Sequence, residues 1–385
     1  MTKPLVIDDR LWEKLNDLTH GAASVCFQCG VCTALCPWGQ VKSEPLSVRN
    51  LIRRAQIGAP DSYENLWLCT TCGQCQAFCP REVNVVDVFR GLRYLAWETR
   101  QTLEGQPGIL WSVYWNDNPW SQPPSHRSEW AKDLELPEFD AGRHEILLYI
   151  GCTSSYDRRA QKIARSLVRI LRAADISFGY LADDEPCCGE SVLSLGHIPY
   201  FEEIVQHASH AFLERGVRRV VTVSPHCYDV FENHYPRHDH SFEPLHYTQY
   251  LSQLMDEGRV EFGRAIDARI TFQDPCYLGR HNNEYIAPRS ILSRIPGVEL
   301  VEMKHHGSDA LCCGGGGGRM WLETPVGERF SDLRVMEASQ AEANILATAC
   351  PFCIVCLEDS IKSSETQDLK IMDVAEIASM ALKST

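Results

Sequence analysis

One spacing of cysteines occurs twice near the start of this 385-residue chain, and it constrains the fold more than any other feature. Cys26-x-x-Cys29-x-x-Cys32-x-x-x-Cys36-Pro37 is followed by Cys69-x-x-Cys72-x-x-Cys75-x-x-x-Cys79-Pro80. Three thiolates at two-residue intervals wrap one face of a four-iron cubane, and the fourth cysteine is carried to the neighbouring cluster. Cys26, Cys29, Cys32 and Cys79 are therefore expected to hold one 4Fe-4S cluster. Cys69, Cys72, Cys75 and Cys36 are expected to hold the other. Structural zinc usually takes two CxxC pairs and not two triplets. Helices must bring the runs together. Leu46, Leu51, Ile52 and Ala55 form an apolar stripe within Glu44 to Ala55, with Gly58 as its stop. Asn84 to Arg100 reads as a second helix with Val85, Val88, Phe89 and Leu92 inward, and Leu11 to Leu18 as a third. Residues 1–105 thus read as a helical two-cluster domain.

The remaining composition narrows the setting. Eighteen cysteines without a basic and apolar leader at Met1 to Asp9 point to reduced thiols and metal, in a cytoplasmic protein. No apolar run approaches the roughly 18 residues of a membrane helix, so membrane contact is expected only through a partner. A net charge of −14 argues against nucleic acid as a partner. No GxGxxG follows a strand, since the glycine run ends in Arg319, and there is no P-loop or HExxH. Electrons must therefore come from, or go to, another protein.

A second group of thiols comes from three loops far down the chain. Cys276 follows Asp274-Pro275. Cys312-Cys313-Gly314 opens a run of five glycines, and Cys350-Pro351-Phe352-Cys353 comes last, with Cys356 as a possible sixth thiol. A cubane or a zinc ion needs four ligands. Five thiols that include an adjacent pair suit a larger or distorted iron-sulfur centre. The glycines allow close backbone approach and positive φ around it. This pattern, with its flanks Cys276-Tyr277-Leu278-Gly279-Arg280 and Gly317-Gly318-Arg319-Met320-Trp321, resembles the cysteine-rich CCG motif of the heterodisulfide reductase family. The order of parts is similar to a fused C-type plus B-type subunit, also called D-type. The resemblance implies a noncubane 4Fe-4S centre at Cys276, Cys312, Cys313, Cys350 and Cys353, on which a disulfide is reduced in one-electron steps.

Residues 144–385 repeat one order of elements. Strands at Glu145 to Ile150, Phe178 to Leu181 and Arg219 to Val223 alternate with helices at Arg158 to Ala174 and Tyr200 to Arg215. Strands at Arg269 to Phe272, Val298 to Met303 and Asn344 to Ala349 alternate with helices at Pro288 to Arg294 and Ser331 to Ala341. The expected fold is α+β and multidomain: the helical ferredoxin-like domain, a linker strap over 106–143, and a duplicated α/β CCG domain with halves 144–262 and 263–385. Asn118-Pro119 and Pro123-Pro124 forbid regular structure in the strap. Trp111, Trp115, Trp120 and Trp130 should pin it to the surface, with an aromatic substrate or quinone site as the rival reading. Cys152, Cys187, Cys188 and Cys227 occupy the ligand positions of the first half, but Ser224 stands where the second half has Cys350. That half could hold an altered cluster, a zinc ion or nothing.

His305 and His306, just before Cys312, are candidate proton donors to a departing thiolate. His226 and His281 sit beside ligand motifs in the same way. Arg280 and Arg319 could bind an anionic substrate or offset thiolate charge, and Lys304 reads as a surface lysine. The expected protein is an iron-sulfur oxidoreductase subunit. A flavoprotein or other redox subunit, similar to the A-type component of heterodisulfide reductase, feeds two cubanes. They feed the noncubane centre, which reduces a disulfide-like substrate. The alternative is a non-catalytic relay in a bifurcating, quinone-linked or acyl-CoA-reducing complex.

Overall fold

The computed structural model describes residues 8–42, 46–58, 63–237, 242–364 and 368–383. The leading residues 1–7 and the Glu44-Pro45 start of the expected helix over Glu44 to Ala55 lie outside these. Asn84 caps the helix Val85–Glu98, its side chain accepting from the Asp87 N–H at 3.1 Å. That helix buries Val85, Val88, Phe89 and Leu92 as its periodicity requires. The helix Val48–Gln56 buries Val48, Ile52 and Ala55, while Leu46 is buried ahead of it. Asp9–Leu18 packs beside both.

Two four-stranded parallel sheets follow. The first contains β1 (Ile146–Tyr149), β2 (Phe178–Gly179), β3 (Arg219–Thr222) and β4 (Glu243–His246), in the order β2-β1-β3-β4. The second contains β5 (Ala268–Gln273), β6 (Val298–Val301), β7 (Ile345–Thr348) and β8 (Lys370–Asp373), in the order β6-β5-β7-β8. The orders are equivalent, as a duplication demands. Strands covered by helices on both faces are continuous apolar runs, and β1 and β7 are buried at every residue. The outer strands β4 and β8 add to the three strands per half that the sequence pattern predicts. Each ends in a residue, His246 or Asp373, that opens the next helix through a capping box with Gln249 or Glu376.

The halves meet with a pseudo-twofold relation. The helix Gln161–Ala173 packs on Val374–Ala381, and Tyr247–Asp256 packs on Ile286–Ser293, so each half contributes the same two surfaces. One apolar core runs through both, from Leu167 and Tyr247 to Leu292 and Val374.

The segment 106–143 is only partly a strap. Gly105 at φ 90° and Pro107 in the first turn start a helix, Gln106–Asn116. Trp111 and Trp115 lie on its outer face, 60% and 71% exposed, so they do not pin the segment. The anchors are Trp130, which is buried, Trp120, which donates to Thr153 Oγ1 at 3.2 Å, and Arg127, which donates to Glu185 at 3.1 Å and to the Asp117 carbonyl at 2.7 Å.

The helical lobe is seated on the duplicated domain through backbone contacts. Gly316 and Gly317 lie so near the loop Cys69-Thr70 that a Cβ on them would stand 2.4 Å from Thr70 O and 2.3 Å from Cys69 O. The glycine run thus serves close approach to the neighbouring lobe. Gly317 also has φ +63°. Replacing Gly317 with alanine should lower the thermal midpoint markedly, by the equivalent of about 2 kcal/mol from strain and forced displacement. Gly327→Ala, at φ +88° with nothing within 4 Å of its Cβ, isolates the strain alone. Equal losses in the two variants, measured by thermal denaturation, would remove the close approach as a cause.

Candidate metal centres

The cysteines gather into four groups. Cys26, Cys29, Cys32 and Cys79 line one enclosed cavity with Val31, Ile52, Val83 and Val85. Cys36, Cys69, Cys72 and Cys75 line the next, with Trp38, Leu46, Val86 and Phe89. Each group takes three thiols from one run and the fourth from the other. Gly30 and Gly73, both with positive φ, turn the chain after the second cysteine of each run. Neither cavity has a carboxylate in its wall, and backbone N–H groups face sulfur, as from Thr71 to Cys69 Sγ at 3.3 Å.

In the second CCG half the five expected thiols touch in sequence. Cys276 neighbours Cys312, Cys312 neighbours Cys313, Cys313 lies 3.1 Å from Cys353 between sulfurs, and Cys353 neighbours Cys350. Cys312 also meets Cys72 of the helical lobe. Cys356 stands beyond Gly315 and, with Cys313, lines a wide cleft floored by Trp38, Arg319 and Phe330. In the first half Cys152, Cys187, Cys188 and Cys227 share a cavity with Ser224, His226, Glu190 and Phe352. There the closest sulfurs are Cys188 and Cys227, at 3.3 Å.

The titration of these thiols differs between the halves. Hydrogen bonding to Cys276 brings Cys312 below the usual thiol value, with Cys72 adding to it against Cys313 and burial. Burial pushes Cys350 up, but hydrogen bonds with Cys353 and His226 outweigh it and bring the thiol down to about 5. Cys276 and Cys353 are raised, first through hydrogen bonding to Cys312 and Cys313, and all four first-half thiols also lie above the usual value, Cys152 at about 12 through burial. In the helical lobe burial raises Cys36 to about 12 and Cys69 to about 11, so deprotonating them calls for a cation in the cavity.

The donor sets fit iron-sulfur groups. All 18 cysteines are unpaired. Among the described residues no three His, Cys, Asp or Glu side chains converge on a single-ion point. The thiols instead spread around the walls of their cavities, which suits a group of several irons. A 4Fe-4S dicluster domain model matches residues 22–83, and a cysteine-rich CCG domain model matches twice, at 146–232 and 270–358. The chain belongs to the dicluster, CCG-domain family that includes the D-type heterodisulfide reductases.

Three relatives frame this family of oxidoreductase subunits. The chain is 34% identical over 336 residues to the probable iron-sulfur-binding oxidoreductase FadF of Bacillus subtilis, covering 85% of this chain and 48% of that one. It is 32% identical to the EtfAB:quinone oxidoreductase of Syntrophomonas wolfei, covering 83% and 47%. It is 28% identical to the D component of the dihydromethanophenazine:CoB–CoM heterodisulfide reductase of Methanosarcina barkeri, covering 93% of both. The chain spans about half the length of the first two. Among the described residues no helix is long and apolar enough to cross a membrane.

The histidines sort differently from their order in the sequence. His305 Nδ1 is bonded to Glu337, and His306 Nδ1 to the Met303 carbonyl at 2.9 Å, so the structure does not direct these two candidate donors at the thiols. His226 and His281 are at the sites. The His281 Nε2 lies 2.9 Å from the Thr71 carbonyl, and its ring stacks on Tyr277 at 4.3 Å. Arg280 is half-buried and donates to Cys72 O at 2.7 Å and Ala310 O at 2.5 Å, so it joins the lobes. Arg319 lies over the Trp38 ring at 5.5 Å in the cleft wall.

Proposed function

We propose that this chain carries electrons from a partner flavoprotein or redox subunit to a disulfide-like substrate at its second CCG half. The contact between Cys72 and Cys312 carries this reading, because it joins the last cubane cavity directly to the five-thiol site. Cys26, Cys29, Cys32 and Cys79 would hold the entry cubane, and Cys36, Cys69, Cys72 and Cys75 the second. Cys276, Cys312, Cys313, Cys350 and Cys353 would hold the noncubane centre. These groups supply single electrons when bound.

The chain's own residues divide the remaining work. Cys29 is the one exposed thiol of the 18, and Val25, Phe27 and Phe78 form an exposed apolar rim near it. A partner is therefore received at the entry cubane. Arg280 and Gly317 hold the two lobes in register. The cleft at Cys313, walled by Arg319 and Trp38, admits the substrate. Cleaving one sulfur–sulfur bond takes two electrons and two protons and leaves two thiols. The reaction would take place in the cytoplasm, with any membrane contact made through a partner.

The second reading is a relay that hands its electrons to another subunit. Ser224 in place of a ligand thiol favours it. Iron and zinc content with redox-poised paramagnetic spectra tests the assignment. About 12 irons per chain are expected if only the second half holds a four-iron centre, and about 16 if both do. Turnover of disulfides by the reduced isolated chain supports the enzyme. An iron-replete chain with no turnover supports the relay.

A further inference from the structure

The two CCG halves differ at three matched positions, and all three meet at one point. Ser224 matches Cys350, His226 matches Phe352, and Glu190 matches Gly315. Ser224 has become a helix cap: its side chain accepts from the His226 N–H at 3.3 Å, whereas Cys350, opening Pro351–Ser363, makes no such bond. The His226 and Phe352 rings touch each other, with centroids 4.3 Å apart. Matched residues in contact lie on the pseudo-twofold axis, so each reaches across it. Phe352 closes the first-half cavity with an apolar ring. His226 reaches into the second half, where its ring comes beside Cys350.

The His226 ring is held from every side. It is 5% exposed and packed between Tyr277, 4.0 Å away and nearly parallel, and Phe352. Its Nδ1 lies 3.2 Å from Glu190 Oε1, an ion-pair distance although the N–H is not aimed along it. Ser194 donates to the same carboxylate oxygen at 2.6 Å and fixes it. No such anchor could stand in the other half, where a Cβ on Gly315 would lie 3.0 Å from Cys356 Sγ. A ring N–H turned toward cluster sulfur favours the reduced state.

We propose that the first CCG half, having lost a ligand thiol, serves as the tuning partner of the second. His226, positioned by Glu190, donates a hydrogen bond to Cys350 Sγ across the axis and raises the reduction potential of the second-half centre. This rests on the reading of that half as an iron-sulfur site.

The test is a redox titration of the full cluster-loaded chain, followed by paramagnetic resonance, with His226→Phe, His226→Gln and Glu190→Gln. His226→Phe copies the matched residue of the other half and keeps the packing. At the native midpoint potential it should lower the reduced-to-oxidised ratio of the second-half centre about tenfold, or about 59 mV for one electron. The cubane potentials should not move. A coupling to an exchangeable proton, seen by comparing H2O with D2O, should disappear in His226→Phe and persist in His226→Gln. Glu190→Gln should shift the potential in the same direction by less. If His226→Phe assembles poorly, His226→Gln and Glu190→Gln carry the comparison through the same two readouts. A native chain with only about 8 irons overturns the site reading together with this inference. A third cluster whose potential and proton coupling ignore all three substitutions overturns this inference alone.

Discussion

Replacing Arg93 with methionine should loosen the seat of the helical lobe by about 3–5 kcal/mol. Arg93 is fully buried, and its guanidinium binds carbonyls of three separate parts. It donates to Ser194 O at 2.5 Å in the first CCG half and to Gly317 O at 3.1 Å in the second. It donates also to Leu66 O at 3.2 Å and Cys69 O at 2.7 Å beside the second cubane cavity. The Trp67 ring lies 5.1 Å away. Burial lowers the guanidinium to about 10, which still leaves it charged at neutral pH. Methionine keeps much of the volume but strands four buried acceptors, each costing about 1–3 kcal/mol before relaxation. Lysine restores the charge without the fork and should recover only part of the loss. Cofactor-bearing chains do not unfold in two states, so the measurement is the apparent thermal midpoint together with protease sensitivity at the 66–69 loop. An Arg93→Met midpoint within the equivalent of about 1 kcal/mol of native would show that the lobes are held by other contacts.

What was legible in the sequence was what depends on short-range spacing. The exchange of Cys36 and Cys79 between cavities follows from the spacing inside each run, and the cavities contain those sets. The strands β1 and β7 could be read because buried parallel strands are apolar runs, and β3 and β5 because each keeps apolar residues at its centre. The edge strands β4 and β8 could not, since Glu243-Pro244-Leu245-His246 and Lys370-Ile371-Met372-Asp373 mix charge with apolar residues, and the first contains a proline. The helix Gln106–Asn116 was hidden because its aromatic residues face outward while a proline-rich stretch follows at once. Contacts between lobes leave no local trace at all. Arg93 looks like any helical arginine. Gly316 and Gly317 read as turns around a centre, whereas backbone of the other lobe occupies that space. His305 and His306 are near Cys312 in sequence, yet the loop spends them on Glu337 and Met303. Only the duplication distinguishes His226 from them, since it matches His226 with Phe352, the ring it touches.

Changing Cys353 to serine should remove the second-half centre and leave the cubanes intact. Cys353 is buried in the first turn of Pro351–Ser363, with its sulfur 3.1 Å from Cys313 and beside Cys350. Serine fits the space, so the fold should survive. Its oxygen is a harder and poorer ligand for thiolate-type iron. Iron should fall from about 12 to about 8 per chain, and turnover of a disulfide by the reduced chain should fall at least about a thousandfold, or about 4 kcal/mol of barrier. The cubane signals should remain, because Cys26 through Cys79 occupy separate cavities. The reverse change in the matched half sharpens the interpretation. Ser224→Cys supplies the fifth thiol beside Cys152, Cys187, Cys188 and Cys227, at the cost of a helix cap worth about 1 kcal/mol. If five thiols are what such a site requires, Ser224→Cys should gain up to about four irons while Cys353→Ser loses about four. A Cys353→Ser chain that keeps its iron and its turnover would mean that the electrons leave the protein before they reach the second CCG half.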